Sequence, residues 1–135
     1  MKKRILSITI FAGLILVSAL EMTAQSTNLV SVRLGGDEKV AESGHTITFI
    51  ELVEDSRCPE GVDCIQAGKA VIRVKVAADG REPQCITLET AETESKVEVH
   101  GYWIRLISLD PYPKADAETP RESYIAKISI ERKPG

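Results

Sequence analysis

Ala70-Val71-Ile72-Arg73-Val74-Lys75-Val76, then Asp79-Gly80, then Cys85-Ile86-Thr87-Leu88-Glu89, is the stretch that decides the fold. Ala70, Ile72, Val74 and Val76 alternate with Val71, Arg73 and Lys75. That period of two belongs to a strand with one face on a core. Asp79-Gly80 supplies the positive-φ residues of a tight hairpin. The return strand puts Ile86 and Leu88 inward and Cys85, Thr87 and Glu89 outward.

The same period extends in both directions. Val30, Val32 and Leu34 share a face until Gly35-Gly36-Asp37 breaks the run. Residues 46–53 form a less regular strand. Ile47, Phe49 and Val53 share one side, but Ile50 and Leu52 load the other. Either a bulge shifts the register near Phe49 or both faces are covered. Val97 and Val99 make a short strand ending at His100-Gly101, and residues 102–109 follow with Ile104 and Leu106 inward. Pro111, Pro113 and Pro120 keep residues 110–121 out of any ladder, because proline lacks the N–H. Tyr124, Ala126, Ile128 and Ile130 are the core side of the last strand. Residues 91–95 read as a polar turn, and no stretch carries an amphipathic helical repeat. About seven short strands with frequent turns predict an all-β, two-sheet antiparallel β-sandwich, with a small β-barrel as the alternative.

The N-terminus predicts export. Lys2, Lys3 and Arg4 precede an uncharged apolar run over residues 5–20, and Met22-Thr23-Ala24 offers a small residue before a cut. The run is short for a membrane span, which needs about 20 residues. Cleavage after Ala24 leaves residues 25–135 as a single domain in the periplasm or outside the cell, with no stable membrane insertion. The full chain carries a formal charge of −3, and loss of three cations and one anion with the leader makes it −5. Mild acidity without clustered Lys and Arg argues against nucleic acid as a partner.

The densest run of special residues is 54–68: Glu-Asp-Ser-Arg-Cys-Pro-Glu-Gly-Val-Asp-Cys-Ile-Gln-Ala-Gly. An oxidising compartment permits Cys58 and Cys64 to close a small ring and leaves Cys85 unpaired on the non-core face of its strand. The ring either braces the crossover between two strands or presents a preorganised loop to a partner. On the second reading Arg57 offers a fork of donors common at binding hot spots, Glu60 and Asp63 turn to solvent, and Val62 is the apolar anchor. Glu54, Asp55, Glu60 and Asp63 do not follow the ligand spacing of a calcium loop. The cysteines are not spaced for zinc, and His45 and His100 read as solvated residues at turns. No Gly-x-Ser-x-Gly elbow surrounds Ser56 or Ser108. No catalytic residue, metal or cofactor is assigned. Tyr102 and Trp103 face opposite sides of their strand, which leaves one of them exposed or under a loop; the proline loop is the expected cover for Trp103.

Asp55-Ser56-Arg57-Cys58-Pro59-x-Gly61-Val62-x-Cys64-x-x-Ala67-Gly68 resembles a signature of small, uncharacterised exported bacterial proteins. Asp110-Pro111-Tyr112-Pro113 and Tyr124-Ile125-Ala126 look like the C-terminal part of that group. The resemblance spans most of residues 29–131. Gln66 stands where the group has an aromatic residue, usually Trp, which weakens any role for an aromatic platform beside the loop. The resemblance implies the compartment and the β-rich scaffold, and no activity. The function expected on these grounds is a non-enzymatic binding or interaction domain for a protein or envelope ligand. The alternatives are a hydrolase or metal-dependent enzyme of the envelope, and a secreted protease inhibitor.

Overall fold

The computed structural model describes residues 24–90 and 95–135. All of the expected leader but Ala24, and most of the polar turn expected at 91–95, lie outside the described residues. Eight strands form, in order β1 (Thr27–Arg33), β2 (Asp37–Val40), β3 (His45–Asp55), β4 (Ala70–Ala78), β5 (Arg81–Glu89), β6 (Val97–Val99), β7 (Tyr102–Asp110) and β8 (Ile125–Arg132). They make two antiparallel four-stranded sheets, β1-β8-β7-β6 and β2-β3-β4-β5, which pack face to face without closing. The architecture is a β-sandwich, and the barrel alternative is excluded.

The core follows the alternation. Ile72, Val74 and Val76 of β4 and Ala126, Ile128 and Ile130 of β8 are buried against Ile47, Phe49, Val32 and Ile104. The sequence shows no sign of β2, whose only inward apolar residue is Val40, opposite His45. The chain changes sheets between β1 and β2. There Leu34 N–H donates to Tyr124 O in one sheet, while Gly35 N–H donates to Phe49 O in the other, at 2.9 and 2.8 Å. Gly35 adopts φ +81°, which a side chain would oppose.

Bulges explain where the alternation breaks. In β3 the pairing with β4 slips between Phe49 and Glu51 and again between Leu52 and Glu54. Each slip inserts one extra residue, Ile50 and Val53, and both are exposed. The inward set therefore runs His45, Ile47, Phe49, Leu52, Asp55 rather than continuing to Val53. A third slip, between Leu106 and Ser108 on β7, turns Ile107 out and brings Leu109 into the core. A bulge bends its strand and re-aims the side chains beyond it. Here the second β3 bulge points a carboxylate, Asp55, into the sandwich end.

Candidate functional site

Three connections meet at the end of the sandwich where β3 and β7 finish: residues 34–36, 56–69 and 111–124. Asp55 and Arg57 organise them. Arg57 Nε and Nη2 donate to Asp55 Oδ1 and Oδ2 at 2.7 and 2.8 Å, a two-pronged ion pair. The remaining guanidinium donors cross to the other sheet, Nη1 to Leu109 O at 2.6 Å and Nη2 to Pro111 O at 3.2 Å. The Tyr124 hydroxyl donates to Asp55 Oδ2 at 3.1 Å. The Tyr112 ring lies 4.9 Å from the guanidinium carbon. The two side chains of the pair are 7% and 9% exposed, so the charges are largely out of water. Burial opposes ionisation of Asp55, but hydrogen bonds and charge from Arg57, with the Tyr124 hydroxyl, outweigh it and hold the carboxyl below its ordinary range. The hydrogen bond to Asp55 raises the Arg57 pKa against the effect of burial. Burial and the bond to Asp55 push the Tyr124 phenol up.

The loop over residues 56–69 is tied down along its base. Ser56 N–H donates to Lys69 O at 2.8 Å, and Lys69 N–H returns to Ser56 Oγ at 3.1 Å. Cys58 N–H donates to Ala67 O at 3.1 Å, and Glu60 N–H reaches across to Pro113 O at 3.0 Å. The Cys58–Cys64 disulfide closes the loop's outer half, and Cys85 is free and exposed on β5. By chain entropy, a ring this small contributes about 2 kcal/mol.

The four residues expected at a binding surface separate into two groups. Glu60, Val62 and Asp63 are exposed. Arg57 is not: it is 8% exposed and every donor named above is already taken. This corrects the picture of Arg57 as an outward hot-spot fork. The i, i+2 spacing from Asp55 and the β3 bulge turn it inward. Asp55 is for the same reason withdrawn from any acidic cluster with Glu54, Glu60 and Asp63. Among the described residues no group of three or more His, Cys, Asp and Glu is placed to hold a metal ion.

Ile65 is the residue the sequence reading passed over. It stands at the outer edge of the disulfide ring with 104% exposure, more open than Val62. Its only signal is its position, one residue after Cys64 in a loop with no strand to bury it. Beside the loop runs an open cleft of about 480 Å³, with Ala67, Gly68, Ile107, Ser108 and Tyr112 in its walls. Trp103 lies elsewhere, on the outer face of β7, with Lys96 Nζ 4.6 Å and Lys133 Nζ 5.2 Å from the ring centre. It is covered by lysines rather than by the proline loop. The histidines are also not solvated singly: His45 is buried and its ring stacks 5.6 Å from that of His100.

Comparison with known proteins returns no match among family models, curated proteins or solved structures.

Proposed function

We propose that this chain is an exported, non-enzymatic binding module that meets a protein or envelope ligand with the loop end of the sandwich. The observation that carries the reading is the contrast between base and tip of residues 56–69. The base is fixed by a buried ion pair, a disulfide and cross-loop backbone bonds. The tip holds Val62 and Ile65 in water, and Ile107 and Tyr112, in the walls of the cleft beside the loop, are exposed too. A fixed loop with exposed apolar side chains loses little entropy on binding, which is what preorganised recognition loops exploit. Export is supported by Lys2, Lys3 and Arg4 ahead of the apolar run, and it suits the disulfide. No helix among the described residues is long and apolar enough to cross a membrane.

The test uses protein recovered after export from a bacterial host. Its intact mass shows whether the chain begins near residue 25. The recovered protein is then immobilised beside a Val62→Ser/Ile65→Ser variant and exposed to envelope and culture-medium extracts. Both replaced side chains are exposed, so the variant should unfold within about 0.5 kcal/mol of the parent. It should capture its partner at least about ten-fold less well, since losing two apolar anchors removes more than 1.4 kcal/mol. A variant that captures the same partner as the parent would show that the loop is a brace and nothing more.

A further inference from the structure

The opposite end of the sandwich holds a second cleft, of about 500 Å³, between the β2–β3, β4–β5 and β6–β7 turns and the end of β8. We propose that this cleft binds an oxyanion, a phosphate-type or carboxylate group, between Arg81 and Arg132 and against the His45–His100 pair.

Four observations support the assignment, none of which depends on the proposed binding loop. His45 is only 2% exposed, yet both of its ring nitrogens are buried without a hydrogen-bond partner. One of them must carry a proton, and apart from a contribution of the Ser43 backbone that proton goes unanswered just beneath the cleft wall. His100 Nε2 lies 3.0 Å from Glu82 O, an acceptor, so Nε2 is the donor there; the buried, unpartnered Nδ1 is an acceptor in the neutral ring and a donor towards an anion in the imidazolium form. Arg81 and Arg132 line the cleft, and their side chains form no hydrogen bond or ion pair among the described residues. Lys133 also lines it but is engaged with Glu98 and Trp103. Among the described residues, Asp79, from the β4–β5 turn, is the only carboxylate in the lining. On a chain of formal charge −3, the cleft is thus locally cationic. A guanidinium fork matches the two oxygens of a carboxylate or phosphate group.

The groups that face His45 define how binding responds to pH. They are His100 from the β6–β7 turn, Arg81 of β5 and Tyr102 of β7, edge-on at 4.7 Å, with Arg132 and Lys133 at the end of β8 and Asp79 lining the same cleft. Burial, then the neighbouring His100, and to a smaller extent Arg81 hold the His45 pKa below its ordinary value, against a raising contribution from Ser43. An anion in the cleft offsets the positive neighbours and favours the charged imidazole. By linkage the anion must then bind more tightly as pH falls.

Sulfate and acetate are suitable probes, one tetrahedral and one planar, because neither changes charge much between about pH 5.5 and about pH 7.5. Each is titrated into the exported protein at fixed ionic strength, with chloride as the control, while the ring-proton resonances of His45 and His100 are followed. One probe should shift both resonances saturably, with binding about ten-fold tighter at the lower pH, the equivalent of one pKa unit. Preference for sulfate identifies a phosphate-type ligand group; preference for acetate identifies a carboxylate. Arg81→Gln/Arg132→Gln should weaken binding at least about ten-fold, the loss of one charge-assisted contact or more. Lys75→Gln, which removes one positive charge from the exposed face of β4 away from the cleft, should leave it unchanged. The proposal fails if neither probe saturates, if chloride reproduces the shifts, or if Lys75→Gln weakens binding as much as the arginine variant.

Discussion

Arg57→Ala should lower the free energy of unfolding by about 3–5 kcal/mol, the cost of leaving one partner of a buried ion pair alone. The substitution strands more than Asp55. Leu109 O and Pro111 O lose their donor, and Tyr112 loses the cation beneath its ring. In a domain of this size 1 kcal/mol corresponds to roughly 4–8 °C, so the melting temperature should fall by tens of degrees. Arg57→Lys should rescue little, because an ammonium cannot fork onto Asp55 and still reach both carbonyls. Acid supplies a second readout. In the parent the Asp55 pKa is lowered in the folded state. Its contribution is therefore complete above the unfolded value, about 3.9, and is lost as pH falls through the folded value. In Arg57→Ala the carboxyl is buried without its guanidinium, so its folded pKa rises and acid relieves the cost instead. The stability gap between parent and variant should narrow markedly below about pH 4. Denaturant unfolding of both proteins at neutral pH and at about pH 3 measures this. A neutral-pH loss under about 1 kcal/mol, the value of an exposed pair, would contradict the buried reading.

That network explains how much of the molecule was readable from its chain. β4 alternates cleanly from Ile72 to Val76, and β8 from Ala126 to Ile130 apart from the small buried Ser129, so their inward faces could be named from the residues alone. In β3 the broken period pointed to a bulge near Phe49 as one of two readings, and a bulge lies there; the second, at Val53, left no mark, because Val53 looks like a core residue and is expelled by geometry. β2 was illegible because a four-residue strand with one inward apolar side chain has no period to detect. At the loop end, the disulfide was legible from the cysteine spacing together with the expectation of export. The fate of Arg57 was not, since its acceptors lie more than 50 residues away at Leu109 and Pro111. The two stretches that suggested a resemblance, one around the cysteines and one around Pro111 and Tyr124, touch each other through this one guanidinium and its carboxylate partner. His45 was misjudged for a related reason. It follows a turn, where histidine is usually solvated, but the inward register of β3 begins with it.

Gly68→Ala is the second substitution with a large expected effect, and it separates two meanings of glycine in the same loop. Gly68 has φ +64°, and a Cβ built there would overlap the Ser56 carbonyl oxygen and come within 3.2 Å of Arg57 N. Those atoms are backbone, so no rotamer change makes room. Relief requires the base of the loop to open, which breaks the paired bonds between Ser56 and Lys69 or the bond from Cys58 to Ala67. It also moves Arg57 relative to Asp55. The strained backbone costs about 1–3 kcal/mol and each partly exposed bond broken at the loop base adds about 1 kcal/mol, so a total near 2–4 kcal/mol is expected. Gly61 provides the comparison. It has a similar φ of +79°, yet nothing lies within 4 Å of its added Cβ. Gly61→Ala should therefore cost only about 1–2 kcal/mol, the intrinsic penalty of a left-handed residue. Both variants keep Cys58 and Cys64, so non-reducing mass mapping can confirm the bridge before stabilities are compared. A Gly68→Ala loss no larger than that of Gly61→Ala would mean the loop base yields easily. The loop would then not be held rigid beneath Val62 and Ile65, and the case for a preorganised binding tip would lose its physical basis.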